Sequence, residues 1–227
     1  MTDQRIIVAI DTYDRTLANV ILDQLNPAIC MIKIGSVVFN ALGKSFLHTV
    51  SERGFKIFLD LKLHDIPNTV YETILGFHDC SIDMLTVHLS GGEDMLRKAM
   101  FAAQTIKTKV IGVSILTSLE ELDTLALFNN TLNDQITNLF KLAKKTNIDG
   151  IVCSPLELEL ANKILDSYSI KVTPGIRNNQ GQDDQARTMS AKAAIEKGAT
   201  YLVIGRPITQ AEYISKALQS FSDSIHE

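Results

Sequence analysis

The stretch FLDLKLHDIPNTV, Phe58 to Val70, begins as an apolar strand and then places Asp60, Lys62, His64 and Asp65 within six positions. Burying a charge is costly unless it is paired and hydrogen-bonded. Side chains alternate along a strand, so Asp60 and Lys62 share one face while Leu61 and Leu63 take the other. A strand that is greasy at its start and charged at its exit suits a parallel barrel. There the strand bodies are covered on both faces, and their C-terminal ends open onto a common mouth where chemistry gathers.

Working outward from this run, seven more of its kind recur. The eight strand candidates are RIIVAI (5–10), ICMIKIG (29–35), FKIFLDL (55–61), DMLTVHL (83–89), KVIGVSIL (109–116), DGIVCS (149–154), IKVTPG (170–175) and TYLVIG (200–205). Stretches with helical period lie between them. Leu17, Val20, Ile21 and Leu25 mark the first helix, and Phe39, Leu42, Phe46 and Val50 the second. Ile136, Leu139, Phe140 and Ala143 follow the i, i+3, i+4, i+7 pattern in a later one. SPLE (154–157) reads as a capping box with proline at the first helical position, and SAKAAIEKG runs from a capping Ser190 to Gly198. The strand-free segment from Thr117 to Asn147 has room for a short extra helix in SLEELDTLAL. Eight βα units in 227 residues predict a (β/α)8 TIM barrel, α/β in class, forming a single domain over residues 1–227. A doubly wound open sheet binding a dinucleotide is the structural alternative, but AIDTYD after the first strand carries no GxGxxG turn.

Composition narrows the function classes. Apolar residues make up 45% and charged residues 21%, with a net charge of −4, which is ordinary for a soluble globular chain. No basic stripe or tail suggests a nucleic-acid surface. The start MTDQRIIVAID has only a short apolar run, unlike a signal peptide or membrane span. Cys30, Cys80 and Cys153 are odd in number, widely spaced and without a CxxC pair, which fits reduced thiols in a cytoplasmic protein. No His/Cys/acid spacing predicts a metal centre.

Read in order, the strand ends carry Asp11, Lys33 before Gly35, Asp60 with Lys62, His88 before SGG, Thr117 with Ser118, TPGIR (173–177) and GRPIT (205–209). Asp11, Lys33, Asp60 and Lys62 come from three consecutive strands and are expected to form a compact patch of alternating sign. A structural ion-pair layer plugging the barrel is the competing reading, and for any single pair it is the better one. Four charges at three adjacent strand ends favour a functional site. Asp65 lies beyond the strand, in a loop stiffened by Pro67. At strands seven and eight, barrels often hold a phosphate. Gly205 and Arg206 suit that role, and the polar stretch TPGIRNNQGQDDQAR (173–187) reads as a lid or binding loop.

These motifs resemble the orotidine 5′-phosphate decarboxylase family, whose signature is D-x-K-x-x-D-I-x-x-T, met here by Asp60, Lys62, Asp65, Ile66 and Thr69. VAID, KIG, VHLSGG, LTS, TPGIR followed by DDQ, and VIGRPIT fall in the family's order over essentially the whole chain. The length is similar to that of the free-standing bacterial form. The resemblance implies a (β/α)8 homodimer that uses no metal and no organic cofactor and converts orotidine 5′-phosphate to UMP and CO2. By match, Lys62 is expected to donate a proton to C6 of the pyrimidine and Asp60 to sit beside the substrate carboxylate. Asp65 and Thr69 are expected to reach into the neighbouring subunit's site. Asp11 and Lys33 would hold ribose hydroxyls and support the charged array, and Thr117 would lie near the base. Arg177, Gln185, Gly205 and Arg206 would meet the phosphate or close over it. Ser190 departs from the Thr-Pro helix start common in the family.

Two rivals follow. Mg²⁺-dependent sugar-phosphate decarboxylases and aldolases share a D-x-K-x-x-D strand, but the cation needs open carboxylates, and here the acids are expected to be committed to lysines. A non-catalytic phosphate-metabolite sensor would require decay at Lys62 or Asp60. Of the histidines, His64 is expected to pack or bond within its loop, His88 to order the end of strand four, and His48, His78 and His226 to lie at the surface.

Overall fold

The computed structural model describes residues 4–177 and 188–225. Along the chain run β1 (Ile6–Ile10), α1 (Arg15–Asp23), β2 (Cys30–Gly35), α2 (Ser36–Leu42), α3 (Lys44–Glu52), β3 (Ile57–Leu63), α4 (Pro67–Leu75), β4 (Met84–His88), α5 (Glu93–Thr105) and β5 (Lys109–Val113). The second half holds α6 (Glu121–Phe128), α7 (Leu132–Lys145), β6 (Gly150–Val152), α8 (Leu158–Ile164), β7 (Ile170–Thr173), α9 (Ala191–Glu196), β8 (Tyr201–Ile204), α10 (Arg206–Thr209) and α11 (Ile214–Ser224). Among the described residues, eight parallel strands close in sequence order, with β1 pairing both β2 and β8. This is the (β/α)8 barrel that the alternating pattern predicts.

Period-two alternation divides the strands between two cores. Ile6, Val8, Ile10, Cys30, Ile32, Ile34, Ile57 and Leu59 point outward into the shell that the helices cover. Ile7, Met31, Phe58, Met84, Ile111 and Val172 point inward and fill the barrel lumen. Two residues further along several strands, the inward positions are Ala9, Lys33, Asp60, Val113, Val152 and Val203, which line a cavity instead of a core. The packed layer under them makes a floor, so the interior is closed below and open at the C-terminal end.

The helices follow their apolar faces, with corrections. In α7, Ile136, Leu139, Phe140 and Ala143 are buried as their spacing predicts, and Thr131 caps the helix by accepting the Asp134 N–H. In α1 the buried face is Ala18, Ile21 and Leu22, continued by Leu25, whereas Leu17 and Val20 are exposed. The small Ala18 lets that helix lie close to the barrel, and the true stripe is 18, 21, 22, 25. The expected second helix is two helices, broken at Gly43, whose φ of 66° lies in the left-handed region that favours glycine. Pro67, expected to stiffen a loop, is the first residue of α4, where its missing N–H costs nothing. Ser154 precedes a 3-10 turn at Pro155–Glu157 that leads into α8, and the Glu157 carboxylate accepts the Ser154 N–H. Cys30, Cys80 and Cys153 are buried free thiols. No described helix is long and apolar enough to cross a membrane.

Candidate active site

β3 does not run straight to its end. Leu59 pairs with Leu85 and Leu63 with Val87, so four steps along β3 span only two along β4. The irregularity falls on Asp60, Leu61 and Lys62, and Lys62 takes a φ of 51°, in the left-handed region. Such bulges re-aim side chains next to functional sites. Here the bulge leaves Leu61 and Leu63 against the outer core while Lys62 turns into the mouth beside Asp60.

Four charged groups then meet in alternating order. The Lys33 ammonium lies 3.4 Å from Asp11 Oδ1 and 3.5 Å from Asp60 Oδ2, and Lys62 Nζ donates to Asp60 Oδ2 at 2.8 Å. Asp60 and Lys33 are almost wholly covered, Asp11 is exposed, and the Lys62 side chain keeps 37% of its surface. Gly35 at the end of β2 leaves room for the Lys33–Asp11 pair, because a Cβ there would stand 3.0 Å from Lys33 Nζ and 3.4 Å from Asp11 Oδ1 and would press the two tips aside. Burial alone pushes the Asp60 carboxyl up. The ammonium groups of Lys33 and Lys62, with hydrogen bonds from Lys62 and Thr86, outweigh it and hold the carboxyl below its usual range. Desolvation, aided by His64 and Lys62, lowers the pKa of His88.

The array faces a cavity of about 480 Å³. Val113, Ile115, Leu116 and Val152 give it apolar lining, and Thr117, Arg177, Gly205, Arg206 and Gln210 complete its rim. A plug of ion pairs would leave no such space. The depression at the opposite end of the barrel, with Lys56, Asp83, Lys107 and Lys109, lies beneath the packed lumen layer.

Of the residues singled out from the sequence, Asp11, Lys33, Asp60, Lys62, Thr117, Arg177, Gly205 and Arg206 border this one cavity. Arg177 also ties the stem of its loop: its N–H donates to Met189 O at 3.0 Å, and Met189 N–H donates to Gly175 O at 3.2 Å. Gln185 and most of the 173–187 loop lie outside the described residues, as does His226. Asp65 and Thr69 do not border the cavity. Asp65 is exposed, accepts the Ile66 N–H at 2.7 Å, and lines a separate surface recess with His64 and Ser90. His64 is exposed, not packed, and its ring lies 5.3 Å from that of His88.

Two site residues escaped sequence reasoning. Thr86 sits mid-strand in an apolar run, and Gln210 follows a one-turn helix. Away from the mouth, His48, Asp79 and Cys80 offer ligand atoms within 4.8 Å of one another, a convergence that no sequence spacing announced. Lys44 already meets the Asp79 carboxylate there, at 2.5 Å.

Residues 4–221 match the family described as Orotidine 5′-phosphate decarboxylase / HUMPS family. The chain belongs to this family. It is 41% identical to the orotidine 5′-phosphate decarboxylase of Actinobacillus succinogenes over 98% of each chain. It is 39% identical to that of Vibrio parahaemolyticus over 99% of each. Among solved structures, the orotidine 5′-phosphate decarboxylase from Lactobacillus acidophilus superposes with a TM-score of 0.87 at 32% identity, covering 99% of this chain and all of the other. The decarboxylase family thus extends over the barrel and its mouth together, and includes every strand end that carries the charged array.

Proposed function

We propose that this protein decarboxylates orotidine 5′-phosphate to UMP and CO2, the last step of de novo pyrimidine synthesis, as a carbon–carbon lyase. The observation that carries the reading is the Lys62 ammonium, held 2.8 Å from a buried carboxylate at the edge of a cavity large enough for a nucleotide. Breaking the C6–carboxylate bond leaves an electron pair in the plane of the ring, with no π-system to spread it. A preorganised cation stabilises that charge without reorganisation, and its proton then forms the new C6–H bond. The neutral amine left on Lys62 regains a proton from water. Asp60 stands beside the substrate carboxylate, and loss of neutral CO2 relieves their repulsion.

The remaining roles follow the cavity's lining. Asp11 and Lys33 hold the ribose hydroxyls and keep the array in register. Thr117 lies near the base, against the apolar wall. Arg177, Gln185, Gly205 and Arg206 take the phosphate, whose binding energy is realised at the remote reacting carbon. Asp65 and Thr69 lie outside this protomer's cavity, which supports a homodimer in which they complete the neighbouring site. The enzyme works in the cytoplasm and needs neither metal nor organic cofactor.

The test is purified protein with EDTA and orotidine 5′-phosphate, followed by ultraviolet absorbance. Loss of the orotidylate spectrum with formation of UMP is expected. Turnover that appears only on adding Mg²⁺, or only with a sugar phosphate, would replace this reading with the metal-dependent branch. That branch has little support from the carboxylates. Both Asp60 oxygens are engaged by lysines and Thr86, and Asp11 is engaged by Lys33.

A further inference from the structure

We infer that Thr86 is a positioning residue for this chemistry, acting through a single buried hydroxyl that fixes both Asp60 and Lys62. The inference rests on the functional reading above. Thr86 is fully buried in β4, between the residues that pair with Leu59 and Leu63, directly opposite the β3 bulge. Along β3, Ile57 bonds toward β4 through Asp83 while Lys56 bonds toward β2 through Ile32, so in an unbroken strand the Lys62 N–H would point toward β2. The bulge turns it toward β4, where the Thr86 Oγ1 accepts it at 2.8 Å. The same hydroxyl donates its proton to Asp60 Oδ1 at 3.0 Å.

One side chain therefore does two things. It anchors the left-handed backbone at Lys62, a conformation that non-glycine residues adopt only when their surroundings hold them there. It also occupies Asp60 Oδ1, leaving Oδ2 as the oxygen that meets Lys33 and Lys62. Carboxylate orientation and ammonium position are set together, from a neighbouring strand that is itself packed against the lumen core. Threonine suits the site: its hydroxyl supplies one acceptor and one donor, and its methyl fills apolar space. Valine matches the shape and supplies neither hydrogen-bonding function.

The experiment compares Thr86→Val and Thr86→Ser with wild type and Lys62→Ala on orotidine 5′-phosphate, from pH 3 to pH 9. Thr86→Val is expected to lower kcat about 10- to 100-fold, the scale of a hydrogen bond to a charged group expressed as a rate, with KM within a few-fold. Asp60 loses a hydrogen bond that stabilises its ionised form, so the acid limb of the kcat/KM profile moves to higher pH. Thr86→Ser, which keeps the hydroxyl, restores both kcat and the acid limb. Thr86→Ala serves the same comparison if the valine variant does not fold. Wild-type kcat and an unmoved acid limb in the valine or alanine variant would overturn the inference. So would a serine variant as impaired as valine, because the methyl would then be what matters. These outcomes leave the decarboxylase reading intact where wild type turns over and Lys62→Ala does not. An inactive wild type, or an active Lys62→Ala, overturns both.

Discussion

Asp60→Asn isolates the part of the array on which everything else leans. The substitution preserves shape, and the asparagine Oδ1 still accepts from Thr86. Its amide, however, turns N–H bonds toward Lys62 and Lys33, whose ammonium groups lie 2.8 and 3.5 Å from Asp60 Oδ2. Two cations then face each other across a neutral group, with only Asp11 left to compensate Lys33. Hydrogen bonds to charged groups contribute about 1.5–3 kcal/mol each. Lys62 is partly in water, so its share sits at the low end. The expected loss is about 2–4 kcal/mol, or a fall in Tm of roughly 5–15 °C for a domain of this size. Turnover should fall at least about 10³-fold, because the ammonium is no longer held in place. The stability difference also has a signature in pH. Asp60 has its folded pKa lowered from 3.8, so its contribution is complete above that value and disappears as pH falls below about 4 through the folded pKa. Thermal denaturation of wild type and variant at pH 7 and pH 3 reads both effects. The curves should separate at pH 7 and converge in acid. Equal Tm at pH 7 together with undiminished turnover would refute the reasoning.

Two further outcomes test other parts of the site. Gly35→Ala places a methyl 3.0 Å from Lys33 Nζ and 3.4 Å from Asp11 Oδ1. The lysine tip can shift cheaply, so the fold should persist with Tm changed little while kcat/KM falls about tenfold or more through misplacement; unchanged kinetics would remove Gly35 as a spacer. Arg206→Ala should weaken reaction of the whole nucleotide strongly and that of the phosphate-free nucleoside much less. Equal losses on the two substrates would count against a phosphate role.

The barrel was legible because its signal is redundant. Each of eight apolar runs carries the same message, and the lumen and shell faces of β1 to β3 follow from simple alternation. The charged mouth was legible for a related reason, since Asp11, Lys33, Asp60 and Lys62 all sit where a strand must end. Local choices that depend on tertiary space were not. The α1 face was misplaced because Leu17 and Val20 are more hydrophobic than Ala18, and only contact with the barrel decides which stripe is buried. Gly43 splits α2 from α3 through its backbone angle, which periodicity does not register. Thr86 escaped notice because a lone threonine in a strand reads as a β-branched core residue. Its importance comes from the bulge opposite it, and a bulge leaves no trace in composition. Asp65 carries a motif signal while lying outside the cavity that Asp60 and Lys62 border, a placement that only coordinates reveal.

The most direct test of the central claim is the turnover of Lys62→Ala on orotidine 5′-phosphate, in EDTA, measured beside its affinity for UMP. Removing the ammonium should cost about 10⁴-fold or more in kcat/KM, the combined scale of electrostatic stabilisation and proton transfer, while UMP still binds within about tenfold of wild type because the phosphate and ribose contacts survive. Near-normal turnover by this variant would contradict the account, since the proton and the stabilising charge would then come from a group other than Lys62.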